Sequence, residues 1–172
     1  YLLKGLLFTL IKTEFSEEFR KSQQQTESTF SISQMHKLPL RIYYEDTDAQ
    51  GIVYHSKYLN FFERARAECL REIGYRQEEL LKEDIAFVVK KQEIEYFSPA
   101  KLDDEIVIKT ILSSSKNVSF TFTQSANLKN DEKQVLCKGQ VYCGCISLKR
   151  NAPAKIPEEL RVKMKSLVQN ND

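Results

Sequence analysis

The chain has 172 residues, which is enough for one domain and too few for two of ordinary size. Its 26 basic and 24 acidic residues are interspersed and leave a net charge of +2, so the sequence lacks the clustered basic face of a nucleic-acid-binding protein. The five glycines are spaced so that neither the G-x-G-x-x-G fingerprint of dinucleotide binding nor the G-x-S-x-G elbow of serine hydrolases can occur.

The N-terminal segment differs in composition from the rest of the chain. Residues 1–11 are apolar but too few to span a bilayer, which takes about 20 apolar residues, and they do not resemble a secretory signal. Residues 16–34 are rich in Ser, Gln, Thr and Glu, which is typical of a linker or disordered arm. We expect residues 1–37 to be an extension outside the fold and residues 38–172 to form the domain. The alternative for the extension is an amphipathic helix that docks on a partner.

After the extension the sequence predicts a strand, a polar loop and a long helix. The strand covers residues 40–44 and the loop residues 45–51. The helix covers residues 57–73, with Ser56 able to cap its start and Gly74 able to end it. Apolar side chains recur along it at helical spacing, namely Tyr58, Phe62, Ala65, Cys69 and Ile73.

The second half of the chain predicts a run of strands with short connections. A short helix near 77–82 precedes them and a final helix follows them; the strands cover residues 86–97, 105–112, 118–127 and 134–148, and the final helix residues 157–168. Such a run favours antiparallel pairing and therefore an α+β fold. Because the long helix is apolar over much of its surface, we expect the sheet to curl around it. A sheet edge and an apolar flank of the helix would then need cover, which dimerisation would supply.

The four cysteines do not form a recognisable metal site. Cys143 and Cys145 share one face of a predicted strand, but no second close pair or nearby histidine completes a ligand set. We expect buried, reduced thiols, no metal, and a reducing cytoplasmic compartment.

The connection between the first strand and the long helix holds the densest polar chemistry. It contains Glu45, Asp46, Asp48 and His55. Acids in such loops commonly satisfy backbone donors, which is the structural interpretation. The free N–H groups of the following helix can hold a developing oxyanion, and a carboxylate across from them would complete a minimal acyl-transfer site.

Three motifs of the chain match a known family. They are RIYYEDTDAQGIVYH at 41–55, FERAR at 62–66 and FSPA at 97–100. Together they resemble the YbgC/4-hydroxybenzoyl-CoA thioesterase family over roughly residues 38–148, and the small bacterial YbgC type most closely. The resemblance implies a hotdog fold, in which an antiparallel sheet wraps around one long central helix. It also implies dimers that often pair into tetramers, with active sites at the subunit interface.

The resemblance implies an acyl-CoA thioesterase that needs no cofactor. The catalytic aspartate of the family falls on Asp48, as a nucleophile or as a general base. A backbone N–H near His55 falls where the family polarises the thioester carbonyl. The His55 side chain would orient water or substrate, or would only form a hydrogen bond at the helix start. Tyr54, in the same motif, is a candidate for substrate contact.

Two further residues have a catalytic or binding interpretation and a structural one. Glu63 is the reserve carboxylate, since other hotdog branches place the catalytic acid on the helix; otherwise it pairs with Arg64, Arg66 or the partner subunit. Lys116 stands where the 4-hydroxybenzoyl branch binds CoA phosphates, but Asn117 follows it here. This departure leaves room for a substrate carried by acyl carrier protein, and for Lys116 as a solvated turn residue.

The chemistry of thioesters explains why so few groups would suffice. A thiolate leaves readily because the pKa of a thiol is only about 8.5, so one carboxylate and an oxyanion site could catalyse hydrolysis without a metal. The main alternative is a non-catalytic acyl-binding or assembly module linked to phospholipid synthesis. A third function, hydration or dehydration of an acyl thioester, would need His55 and Glu63 to converge.

Overall fold

The computed structural model describes residues 35–168, with side chains described as far as residue 165. The predicted N-terminal extension lies outside the described residues except for its last three positions. Within the described range the chain forms six strands and three α-helices: β1 (His36–Arg41), α1 (Lys57–Glu72), α2 (Gln77–Lys82), β2 (Ala86–Tyr96), β3 (Glu105–Ser115), β4 (Ser119–Leu128), β5 (Val135–Ser147), β6 (Ala152–Pro153) and α3 (Glu158–Val168). None of these helices is long and apolar enough to cross a membrane.

The strands form one antiparallel sheet in the order β1-β3-β4-β5-β2, and the two-residue β6 pairs with β5. The sequence prediction of an α+β fold with antiparallel pairing is confirmed. In β2–β5 the register shifts between Val89 and Lys91, so Phe87 and Val89 before the shift face the same side as Ile94 and Tyr96 after it. This side faces α1, because Gly139, the partner of Ile94, lies against an α1 side chain.

The core lies between α1 and the sheet. Seven α1 residues are buried, at the spacing that places them on one face: Tyr58, Phe61, Phe62, Ala65, Arg66, Cys69 and Leu70. The core continues to α3, whose Leu160 and Met164 are fully buried. One sheet face is thus covered by the long helix, as the sequence predicted.

Both ends of α1 lie within one residue of their predicted positions. Gly74 ends the helix with a φ of +88°, and its N–H donates to the Arg71 carbonyl oxygen at 2.9 Å. Ser56 precedes the helix, but its predicted side-chain cap is wrong: the Ser56 hydroxyl makes no capping hydrogen bond. Its backbone is already helical, at φ −73° and ψ −19°, whereas a capping residue is typically extended.

The first strand lies earlier in the chain than predicted. β1 begins at His36, so its first two residues, His36 and Lys37, come from the segment assigned to the extension. The strand ends at Arg41, so residues 42–44 of the predicted strand lie outside it, and Tyr44 begins a 3-10 helix that ends at Asp46. Pairing with β3 decides these limits, since β1 matches the first six residues of that strand and then leaves the sheet.

Both outer strands of the sheet, β1 and β2, have one edge without a partner among the described residues. The β2 edge is eleven residues long and exposes two apolar side chains, Val88 at 38% and Val89 at 49%. The unpaired backbone groups of such an edge can pair with a strand of another chain.

Candidate active site

The loop between β1 and α1 is organised by Asp46. This carboxylate is only 4% exposed, and its Oδ2 accepts a hydrogen bond from the Tyr43 N–H at 3.0 Å. Its Oδ1 lies 3.4 Å from the Lys57 ammonium, and its backbone carbonyl accepts from the Tyr54 N–H at 2.9 Å. Asp46 therefore connects the loop to the first turn of α1.

Asp48 opens a tight turn two residues later. Its Oδ1 accepts a hydrogen bond from the Gln50 N–H at 2.8 Å, and its backbone carbonyl accepts from the Gly51 N–H at 2.9 Å. Gly51 has a φ of +74°, in the left-handed region that favours glycine. The Asp48 side chain is half-buried, and its Oδ2 has no hydrogen-bond partner among the described residues.

A cavity of about 300 Å³ lies where α1 begins. Its lining includes Ile52, Val53, His55, Tyr58, Tyr96 and Ser98. The loop and the FSPA motif meet here, and Ile52 forms a β-bridge with Lys101 just after that motif. The cavity therefore combines the first and third sequence motifs.

Tyrosines from α1 and β2 form one wall of the cavity. The Tyr96 hydroxyl donates a hydrogen bond to the His55 carbonyl oxygen at 2.9 Å, and the two rings lie edge to face at 6.4 Å. The Tyr58 ring lies 5.9 Å from Tyr96, and its hydroxyl accepts from the Ala100 N–H at 3.3 Å. Burial raises the pKa of Tyr58 to about 12, so its phenol stays neutral near pH 7.

Backbone donors at the start of α1 face no protein acceptor. Among the described residues, neither the N–H of His55 nor the N–H of Ser56 donates a hydrogen bond, and the Ser56 hydroxyl caps nothing. Free amides at a helix start carry partial positive charge. An oxygen that develops negative charge can therefore be stabilised at this end of the cavity.

The structure brings only some of the predicted site residues together. His55 lines the cavity, and Tyr54 lies beside it with ring centroids 4.4 Å apart but outside the lining. Asp48 is not in the lining either. Its chain neighbour Thr47 forms an antiparallel β-bridge with Val53, which does line the cavity.

The other two predicted residues lie elsewhere. Glu63 is exposed and lines a separate cavity with Arg66, so His55 and Glu63 do not converge as a hydratase would require. Lys116 is exposed in the β3–β4 turn, where its N–H donates to the Ser119 carbonyl oxygen at 2.8 Å. Lys116 and the loop of Asp48 and His55 lie at opposite ends of β3. The turn of Lys116 follows the last residue of the strand, whereas the loop contacts the residues just before the strand begins.

Comparison with known proteins gives the family. The family model described as the thioesterase-like superfamily matches residues 43–164. The acyl-CoA thioester hydrolase YbgC of Escherichia coli O157:H7 is 40% identical over 131 residues, which cover 76% of this chain and 96% of the relative. The acyl-CoA thioesterase YbgC of Haemophilus influenzae is 44% identical over 124 residues, which cover 72% and 89%. This chain belongs to the YbgC family of thioesterases.

The solved structure of a probable thioesterase from Bartonella henselae has the same fold as this YbgC family member. The two chains are 32% identical with a TM-score of 0.66, over 72% of this chain and 99% of the other. The sequence-based expectations of the family, of the hotdog fold and of a thioester hydrolase are confirmed.

Sequence reasoning did not single out Tyr96 as part of this YbgC-family site. Its position directly before the FSPA motif was the available signal, because a strand that ends at a site places its last side chain there. Its contact with His55 spans 41 residues of sequence, so no local pattern could reveal it.

Proposed function

We propose that this protein hydrolyses acyl-CoA thioesters to a free acid and CoA, with Asp48 as the catalytic carboxylate. The observation that carries the proposal is the unbonded N–H of His55, a residue that lines a cavity of about 300 Å³, with the unbonded N–H of Ser56 next to it in the chain. The names of the YbgC relatives, which are acyl-CoA thioesterases, support the same substrate class.

The reaction divides between these groups. The amides hold the thioester oxygen as it becomes an oxyanion, which favours addition to the carbonyl carbon. Asp48 either removes a proton from the attacking water or adds to the carbonyl itself, to form a mixed anhydride that water then cleaves. The C–S bond breaks in either case, and the CoA thiolate takes up a proton.

A second copy of the chain completes this proposed site. Asp48 does not line the cavity of a single chain, while the β2 edge with Val88 and Val89 is open to a partner. We therefore infer a homodimer through β2, able to pair into a tetramer, with the active site at the interface. β3 is about 35 Å long and separates Lys116 from the loop of Asp48 and His55, so Lys116 would not contact the CoA phosphates of a substrate bound in the cavity of the same chain. The buried free cysteines fit a cytoplasmic location.

A thiol-release assay over a panel of acyl-CoAs tests the catalytic role of Asp48. In Asp48→Asn the amide oxygen can still accept the Gln50 N–H, so the turn is kept while the carboxylate is lost. We expect turnover to fall by about 100-fold to 10,000-fold with the oligomeric state and Tm unchanged. Asp131→Asn is the matched control, since Asp131 accepts the Lys133 N–H in a similar turn between β4 and β5. Wild-type turnover by Asp48→Asn would exclude the proposed role.

The position of Asp48 outside the single-chain cavity favours one other function, an acyl-thioester-binding or assembly module without catalysis. The same panel separates the two functions. Binding of acyl-CoA by the wild type without thiol release would identify the binding module. Release from acyl-carrier-protein thioesters but not from acyl-CoA would assign the carrier protein as the substrate donor.

A further inference from the structure

Arg66 is a buried cation on the sheet-facing side of α1. Arg66 is only 7% exposed, and its Nη1 donates a hydrogen bond to the Gln124 amide oxygen at 2.9 Å. The Gln124 amide nitrogen in turn donates to the Phe62 carbonyl oxygen and to the Thr110 hydroxyl, each at 2.9 Å. This network holds the guanidinium in one place.

Among the described residues, no carboxylate forms an ion pair with this cation, since no carboxylate oxygen lies within 4 Å of the guanidinium. Glu63, three residues earlier, lines the same cavity and interacts with Arg66 at longer range, but it is exposed and its carboxylate lies beyond that distance. Burial raises the pKa of the neighbouring Cys143 thiol, which therefore stays neutral near pH 7. Buried charges are normally paired with an opposite charge, so the unpaired guanidinium of Arg66 is a candidate group for binding an anion.

Arg66 lines an open space. This cavity of about 110 Å³ is also lined by two polar residues, Glu63 and Gln77, and by apolar side chains, among them Phe87, Val89, Phe120 and Phe122. A single water needs only about 10–15 Å³, so the cavity has room for a larger group. Of the guanidinium nitrogens, only Nη1 has a partner among the described residues. The remaining N–H groups suit the two oxygens of a carboxylate.

The Arg66 cavity and the catalytic cavity lie along the same pair of elements. α1 contributes Tyr58 to the catalytic cavity and Arg66 to the other, eight residues or about 12 Å further along the helix. β2 runs in the opposite direction, with Tyr96 at the catalytic end and Val89 at the Arg66 end. Between them Gln92, on the same face of β2, has a buried amide nitrogen without a partner.

We infer that the Arg66 cavity receives the far end of the acyl group and favours acyl groups that end in a carboxylate. The inference rests on the proposed function, because it places the thioester of the same substrate at the start of α1. The aromatic lining packs against the methylene chain, and the guanidinium binds the terminal carboxylate.

Two CoA thioesters that differ only at the far end test this inference: octanoyl-CoA, which ends in a methyl group, and suberoyl-CoA, which ends in a carboxylate. We expect wild-type kcat/KM to be higher for suberoyl-CoA by about 10-fold to 100-fold, the range of a charge-assisted hydrogen bond. Arg66→Met should remove this preference, so that the ratio of the two kcat/KM values falls to about one. Arg64→Met, an exposed arginine on the same helix, is the matched control and should keep the preference.

The outcomes separate this inference from the proposed function. Thiol release from both thioesters at equal kcat/KM would overturn the inference and leave the hydrolase intact. Equal losses for both thioesters in Arg66→Met, or a change of oligomeric state, would assign Arg66 to a carboxylate of the protein and also overturn it. Absence of thiol release from any acyl-CoA would instead reject the proposed function. In that case, the preference is measured as the ratio of the wild-type affinities for suberoyl-CoA and octanoyl-CoA. This measurement requires no variant.

Discussion

The Tyr96 hydroxyl donates a hydrogen bond to the His55 carbonyl oxygen at 2.9 Å, which connects the end of β2 to a residue two positions before the start of α1. In a planar trans peptide the carbonyl of one residue and the N–H of the next point in opposite directions. The bond from Tyr96 therefore also fixes the direction of the Ser56 N–H, one of the two free amides at the start of α1.

Tyr96→Phe is expected to lower turnover with little effect on stability. The substitution removes only the hydroxyl, so the ring contact with Tyr58 remains while the His55–Ser56 peptide loses its anchor. A neutral hydrogen bond contributes about 0.5–1.5 kcal/mol, so we expect kcat to fall by about 2-fold to 10-fold. Tyr142→Phe, which removes a phenol bonded to Glu93 at the β2–β5 surface, is the control. Equal kcat values for the two variants would show that the anchor does not matter.

Substitutions of the two loop acids are expected to have different effects: a substitution of Asp46 lowers stability, and a substitution of Asp48 lowers activity. Asp46→Ala leaves the Tyr43 N–H without its acceptor and Lys57 without its partner, so we expect the free energy of unfolding to fall by about 1–3 kcal/mol. Asp48→Asn keeps its turn and should unfold like the wild type while turnover is lost. Urea unfolding and thiol release on both variants check this. Comparable stability losses in the two variants would contradict the division.

Local signals in the sequence were sufficient for the helices and for the existence of most strands. The start and end of α1 follow from apolar residues at helical spacing and from Gly74, whose left-handed backbone ends the helix. The alternation of Phe120 and Phe122 with polar residues in β4 likewise identified a strand with one buried face. Each of these signals lies within one element, so no knowledge of the fold was needed.

The features that sequence reasoning missed depend on contacts between distant segments. The limits of β1 follow from its register with β3, about 70 residues later, and not from its own composition. The position of Asp48 outside the lining of the catalytic cavity depends on the β-bridge between Thr47 and Val53, which are six residues apart. Arg66 was considered only as a partner for Glu63, because its burial against Gln124 cannot be read from a helix pattern.

Asp84 gives the protein a pH-dependent contribution to stability. Its carboxylate accepts hydrogen bonds from the Ser147 hydroxyl and, at 2.9 Å, from the Lys149 N–H, and the Ser147 bond is the main reason that the pKa of Asp84 is lowered. A group with a lowered folded-state pKa stabilises the fold above its ordinary pKa, about 4, and loses this contribution as the pH falls through the lowered value.

Asp84→Asn is therefore expected to be less stable than the wild type at pH 7 and to approach it below about pH 4. Asparagine tolerates the positive φ of 61° at this position, so the backbone should not add a loss of its own. Urea unfolding across this pH range measures the difference. A difference that stays constant from pH 7 to pH 3 would show that the carboxylate charge has no part in it.

Gly139→Ala is expected to lower the free energy of unfolding by about 1–3 kcal/mol, the usual cost of overpacking a core. A Cβ at Gly139 would lie 2.8 Å from the Glu93 carbonyl oxygen and 3.1 Å from the Phe62 ring, so the sheet and α1 would have to separate. Gly144→Ala makes the same change in the same strand, where the nearest atom, in Val88, is 3.8 Å away. It should be neutral or stabilising, because alanine restricts the unfolded chain. Equal unfolding midpoints for the two variants would mean that α1 does not need this close approach to β5.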